Sequence, residues 1–197
     1  AVCEFDGVVV PPGAARETHW VVLREDADEH ALWQWHAGQL ARALDVPRPG
    51  PPPTIFCSWY FYGRDFTEDD LRENLAELRR RPTPFDVLLI DNGWMDRFGD
   101  WNAHPARFPS GMRAAAAAIR DAGRLPGIWT CPFVLSPRST VVARQPRLVL
   151  RDRDGVPCTF PYREPEFSED LFVLDPTAPE AADYLRDIFQ RLARDGY

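Results

Sequence analysis

From residue 55 onward, short apolar runs alternate with stretches of helical period, and this limits the chain to parallel βαβ units. The runs at 55–61, 85–91 and 125–130 read as strands of nearly unbroken apolar character, as expected where helices cover both faces. After the first, Thr67 caps a helix, with Asp70 in capping-box position and Leu71, Leu75 and Leu78 on its apolar face. After the second comes an alanine-rich helix at 110–122, closed by Gly123. A long excursion rich in Pro and Arg follows the third, with a short strand at 171–174. Thr177 then caps a last helix, with Pro179 near its start. Its expected buried face is Tyr184, Leu185, Ile188, Phe189 and Leu192, and Gly196 ends it. An open doubly wound sheet and a (β/α)8 barrel both fit. No glycine-rich phosphate loop follows any strand, which disfavours a nucleotide fold.

Ahead of this pattern, "PRPGPPP" at 47–53 is a stiff connector. Residues 1–46 hold an expected strand at 17–23 and a helix at 26–44, whose Trp33, Ala37, Leu40 and Leu44 share one face. So short a piece makes a poor domain alone and reads as the tail of one that starts upstream. The initial Ala points the same way. A (β/α)8 barrel takes about 250 residues and eight units. Three units are present, and the chain stops where a fourth strand is due.

With 45% apolar residues the chain can build a core. Its 30 acidic residues against 23 basic ones give a net charge of −7, which argues against nucleic-acid or anionic-membrane partners. Every basic residue is Arg, a bias best explained by a GC-rich genome. Cys3, Cys57, Cys131 and Cys158 form no CxxC and read as free thiols. Without a leader or an apolar run of membrane length, the expected location is cytoplasmic. His19, His30, His36 and His104 have no metal-ligand spacing, so no metal or cofactor is expected. Ser136 and Ser139 lack a nucleophile elbow, and the acidic residues of 164–170 read as a solvated loop.

The strand ends "SWY", "IDNGW" and "IWT" gather aromatics and one carboxylate on one rim, where barrel chemistry sits. Trp59, Tyr60 and Trp129, with Trp94 and Trp101, offer apolar faces for sugar rings. Asp91 and Asn92 offer acceptors and a donor for hydroxyls. Each has a blander reading: the aromatics as core, Asp91 as a turn cap, Asp100 as a loop anchor. From the residues alone, Asp91 is a candidate nucleophile.

The run "CSWYFYGRDFTEDDLRENL", then "IDNGW…GDW", "RFPSGM", "AGRLPGIWTCPFVLSPRS" and "LDPTAPEAADYL", resembles glycoside hydrolase family 36, the α-galactosidases or melibiases. The likeness covers residues 53–197. It implies a partial (β/α)8 barrel over 54–197, truncated before strand four, joined by 47–53 to the tail of a β-sandwich domain in 1–46. It implies a retaining exo-α-glycosidase acting on α-galactosides through a nucleophile and an acid/base. Both carboxylates would lie beyond residue 197, so the chain itself carries no catalytic residue and is expected to be inactive. Carried over residue by residue, Trp59 and Tyr60 match pocket positions and Trp129 an aromatic wall. Asp91 matches the first of two adjacent Asp residues that grip the O4 and O6 hydroxyls. Asn92 departs from the pattern, which typically has a second Asp there, and this leaves the exact sugar open. The alternatives are a raffinose-synthase-like galactosyl transferase and a non-catalytic sugar-binding remnant. The complete enzyme is expected to assemble as a homo-oligomer.

Overall fold

A computed structural model describes residues 9–18, 21–46, 50–164 and 167–197. The chain divides into two compact units, Ala1–Pro52 and Pro53–Tyr197.

In the first unit the described residues form one helix, α1 (Glu29–Ala43). The Asp28 carboxylate accepts the His30 N–H at 2.9 Å, with Glu29 in the first turn and Arg42 in the last, matching the helix dipole. The expected apolar stripe is not a buried one: Trp33 and Leu40 are exposed, and α1 buries no residue. Of the expected strand at 17–23, residues 19 and 20 lie outside the described residues, and 21–23 are irregular and exposed. No strand forms among this unit's described residues to pair with them, so the ladder that would fix an extended conformation is missing.

The second unit is mixed α/β. Strands β1 (Ile55–Cys57), β2 (Val87–Ile90) and β3 (Leu125–Ile128) form a parallel sheet in that order. Phe56 pairs with Leu88, and Leu88 with Pro126. At its entry, the Asp86 carboxylate accepts both the Thr54 N–H (2.7 Å) and the Thr54 hydroxyl (2.9 Å). All three strands are shorter than expected. Four residues were expected to continue β1, but from Trp59 the chain coils into helix α2 (Trp59–Tyr62) and then a 3-10 turn, Gly63–Asp65. The Ser58 N–H still donates to Leu89 O at 3.1 Å, the last ladder bond before that turn.

Helices α3 (Glu68–Arg80), α4 (Gly111–Asp121) and α6 (Ala181–Asp195) cover one side of the sheet. Leu88 and Ile90 are fully buried there beside Leu71, Leu75, Ile119 and Ile188. Val87 and Leu89, which point to the other side, are only half-buried. The burial therefore alternates, where cover on both faces was expected. Helix α6 starts later than expected. Thr177 is tied to the Asp175 carboxylate through its N–H (2.8 Å) and hydroxyl (2.6 Å), which makes a turn there, and Glu180 is the cap position. Phe189, expected inside, is half exposed.

The Thr67–Asp70 capping box is complete: the Asp70 carboxylate accepts the Thr67 N–H at 2.9 Å and Thr67 Oγ1 accepts the Asp70 N–H at 3.2 Å. Thr67→Ala should cost about 1 kcal/mol. It should lower the denaturation midpoint while Thr67→Ser retains most of it.

The excursion after β3 holds a second sheet. Strand β4 (Val134–Leu135) leads through a single helical turn, α5 (Thr140–Arg144), to the hairpin β5 (Thr159–Glu164) and β6 (Phe167–Val173). The sheet is antiparallel with β6 central. The acidic stretch expected as a solvated loop is thus mostly strand. No apolar–polar alternation marks it, because Glu169 falls on the same face as Phe167 and Leu171; pairing with β5 fixes the strand.

Candidate active site

The three parallel strands end side by side, at Ser58, Asp91 and Trp129. The buried Ser58 hydroxyl accepts the Asp91 N–H at 3.0 Å, which joins the first two ends. The Trp129 N–H donates to Ile90 O at 2.9 Å, which joins the last two. The Asp91 carboxylate is oriented on both oxygens. Oδ1 accepts the Asn92 N–H at 2.7 Å, and Oδ2 accepts the Cys57 thiol at 3.2 Å. Burial, and secondarily the Asp91 charge, push the Cys57 thiol above its ordinary pKa, so it remains a protonated donor.

Trp59 and Tyr60 rise from the first turn of α2. Trp129 is half-buried and packs edge-on to Phe98, with ring centroids 6.1 Å apart. Its backbone oxygen accepts the indole N–H of Trp94 at 2.8 Å. From the hairpin, Tyr162 reaches across: Asn92 Nδ2–H donates to the Tyr162 hydroxyl at 2.6 Å, which donates to Glu164 Oε1 at 3.0 Å. Burial, then Glu164, push the Tyr162 hydroxyl up to about 12, so it too keeps its proton.

An open cleft of about 220 Å3 is lined by Cys57, Trp59, Tyr60, Asp91, Asn92, Trp129 and Tyr162, with Tyr60 at its exposed edge. The five residues expected to bind sugar, Trp59, Tyr60, Asp91, Asn92 and Trp129, meet there. Cys57 and Tyr162 were missed. A larger cleft of about 430 Å3 shares Trp59 and Glu164 lines it, with Arg64 and Arg107. The Arg64 guanidinium stacks 3.9 Å from the Phe167 ring centroid, and burial lowers its pKa.

Three candidates lie elsewhere. Trp94 and Trp101 are 1% exposed and belong to the aromatic core, their ring centroids 6.0 Å apart. Trp94 is tied to the cleft through the backbone of Trp129. The Trp101 indole N–H donates to the Tyr184 hydroxyl at 3.1 Å. Asp100 accepts the Thr140 hydroxyl (2.7 Å) and the N–H groups of Thr140 and Val141, so it anchors the start of α5. A GDW motif in the loop after a strand end resembles a site, yet these residues are needed to pack the loop. Among the described residues no cluster of His, Cys, Asp and Glu could hold a metal ion, and no helix is long and apolar enough to cross a membrane.

One oriented carboxylate, one amide and three aromatic faces around a small cleft suit a polyhydroxylated ring: hydroxyls pair with Asp91 and Asn92, and C–H faces lie on the aromatics. The sequence model of the Melibiase family matches residues 46–196. The chain belongs to the melibiase family. Among its relatives, alpha-galactosidase Mel36A of Lactobacillus acidophilus is 23% identical over 72% of this chain and 19% of its own length. The A type blood alpha-D-galactosamine galactosaminidase of Flavonifractor plautii is 28% identical over 59% of this chain and 11% of its own. Among solved structures, TtGalA, the alpha-galactosidase from Thermus thermophilus in complex with stachyose, is similar with a TM-score of 0.69. It is 33% identical, over 80% of this chain and 34% of that one. The alpha-galactosidase from Lactobacillus brevis shares the fold, with a TM-score of 0.60 at 23% identity, over 74% of this chain and 19% of its own. The melibiase chain described here therefore spans about a fifth or less of the curated relatives it matches.

Proposed function

We propose that this chain is the sugar-gripping segment of a retaining exo-α-glycosidase that hydrolyses terminal α-galactosides. The observation that carries this is the single cleft in which Asp91, Asn92, Trp59, Tyr60 and Trp129 converge. Membership of the melibiase family supports it, as do relatives named as α-galactosidases. Asp91 grips sugar hydroxyls and Asn92 takes a neighbouring one, while Trp59, Tyr60 and Trp129 hold the ring faces. Asp91 is already committed on both oxygens to Asn92 N–H and Cys57, which suits a fixed binding group. The nucleophile and the acid/base, about 5–5.5 Å apart in retaining enzymes, come from another part of the complete protein, and the isolated chain is inactive.

The fold reading goes with this. Residues 54–197 are the first three βα units of a (β/α)8 barrel, and residues 1–46 end a β-sandwich domain. The half-covered side of the sheet at Val87 and Leu89 supports the barrel, because in a barrel that side faces further strands.

The test is hydrolysis of p-nitrophenyl α-galactoside by the complete protein, with the α-glucoside and the α-N-acetylgalactosaminide alongside. Preferred hydrolysis of the α-galactoside with retained anomeric configuration is expected. Dominant transfer to a sugar acceptor in place of hydrolysis would make the protein a galactosyl transferase. Galactose binding without turnover would make it a non-catalytic binding protein.

A further inference from the structure

Asn92 is 2% exposed, and its Oδ1 has no hydrogen-bond partner among the described residues, although the side chain lines the cleft. A buried amide acceptor left unpaired costs free energy unless something supplies a donor. The amide cannot relieve this by flipping. The Tyr162 hydroxyl has one proton, and Glu164 Oε1 takes it at 3.0 Å, so the phenol oxygen can only accept from Asn92. A flipped amide would set its oxygen against an oxygen with no proton to give. The hydrogen-bond chain therefore fixes which end of Asn92 is free.

We propose that Glu164, acting through Tyr162, is a positioning residue that holds Asn92 with Oδ1 turned to accept a hydroxyl of the bound sugar. The inference rests on the glycosidase reading above. Asp91 and Asn92 then present two acceptors to neighbouring hydroxyls but only one charge. With Asp at 92, Tyr162 would face two carboxylates with one proton, and one buried anion would go unpaired. Asn92 and Glu164 are thus a matched pair set 72 positions apart, one at a parallel strand end and one in the hairpin.

The pairing is tested by steady-state kinetics of the complete protein on p-nitrophenyl α-galactoside. Tyr162→Phe keeps the ring packed on Phe98 and Phe167, whose centroids lie 5.2 and 5.8 Å away, and removes only the hydroxyl. It should raise KM about five- to tenfold, the value of one neutral hydrogen bond, with kcat little changed and the unfolding midpoint lowered, because the buried Asn92 Nδ2–H loses its acceptor. Asn92→Asp should lower kcat/KM tenfold or more, on the order of the penalty for a buried unpaired charge. Adding Glu164→Gln to it should restore most of the loss, since a Gln amide can donate to the phenol oxygen while the phenol donates to Asp. An active wild type with an unchanged Tyr162→Phe KM, or with no recovery in the double variant, overturns the inference alone. A wild type inactive on every α-galactoside overturns the reading beneath it.

Discussion

Asp91→Ala in the complete protein should lower kcat/KM about a thousandfold, with KM rising strongly and kcat falling as well. Hydrogen bonds to a charged group contribute about 1.5–3 kcal/mol each, and an Asp that grips two hydroxyls loses two of them. Bonds of this kind form in the ground state and tighten as the ring distorts, so both parameters move. Asp91→Asn should fall between, because it keeps hydrogen-bonding capacity but loses the charge assistance. On the proposed binding role, azide should rescue neither variant. Rescue by azide with inverted product would identify Asp91 as the nucleophile and reassign the cleft.

Gly93→Ala should abolish stable folding of the second unit, at a cost on the order of 4 kcal/mol or more. Gly93 has φ of +113°, a region closed to L side chains. An added Cβ would sit 2.2 Å from the backbone oxygen of Arg64 and 2.8 Å from its carbonyl carbon. Neither neighbour can yield easily. Arg64 lies in the 3-10 turn that follows α2, and Gly93 O is itself held by Arg107 Nη1 at 3.0 Å. The glycine after Asp91-Asn92 is there because two strand-end loops cross at backbone contact, which brings Trp59 toward Asp91. A Gly93→Ala protein that unfolds within about 1 kcal/mol of wild type would contradict that packing. An intermediate outcome, a folded protein with a displaced 59–65 segment, should appear as a raised KM.

Much of this architecture was legible because periodicity reports burial. Leu71, Leu75, Ile188 and Leu192 were expected inside and are buried. The Thr67 box formed because both its halves are local. The misreadings arose where long-range packing overrode local pattern. Trp94 and Trp101 carry no mark in the sequence that separates a ring meant for substrate from one meant for the core. Burial decided it, and Trp101 is held at φ of +51° within the aromatic cluster. Tyr162 was beyond reach for another reason. Its contact with Asn92 spans 70 positions and two sheets, and nothing near Tyr162 announces it. Cys57 was visible as a thiol, but its role as a donor to Asp91 depends on the register of β1 against β2, in which Cys57 pairs with Leu89.

On the proposed function, this cleft holds a galactose ring by its hydroxyls, away from the bond that is broken. The most direct test is the structure of the complete protein with galactose bound. Asp91 should lie within hydrogen-bond distance of two ring hydroxyls, about 2.5–2.7 Å. Trp129 should lie along an apolar face, and Asn92 Oδ1 should accept a further hydroxyl. The anomeric carbon should face carboxylates from outside this chain. An anomeric carbon about 3–3.5 Å from Asp91, in attack geometry, or a sugar seated elsewhere with this cleft empty, would contradict it.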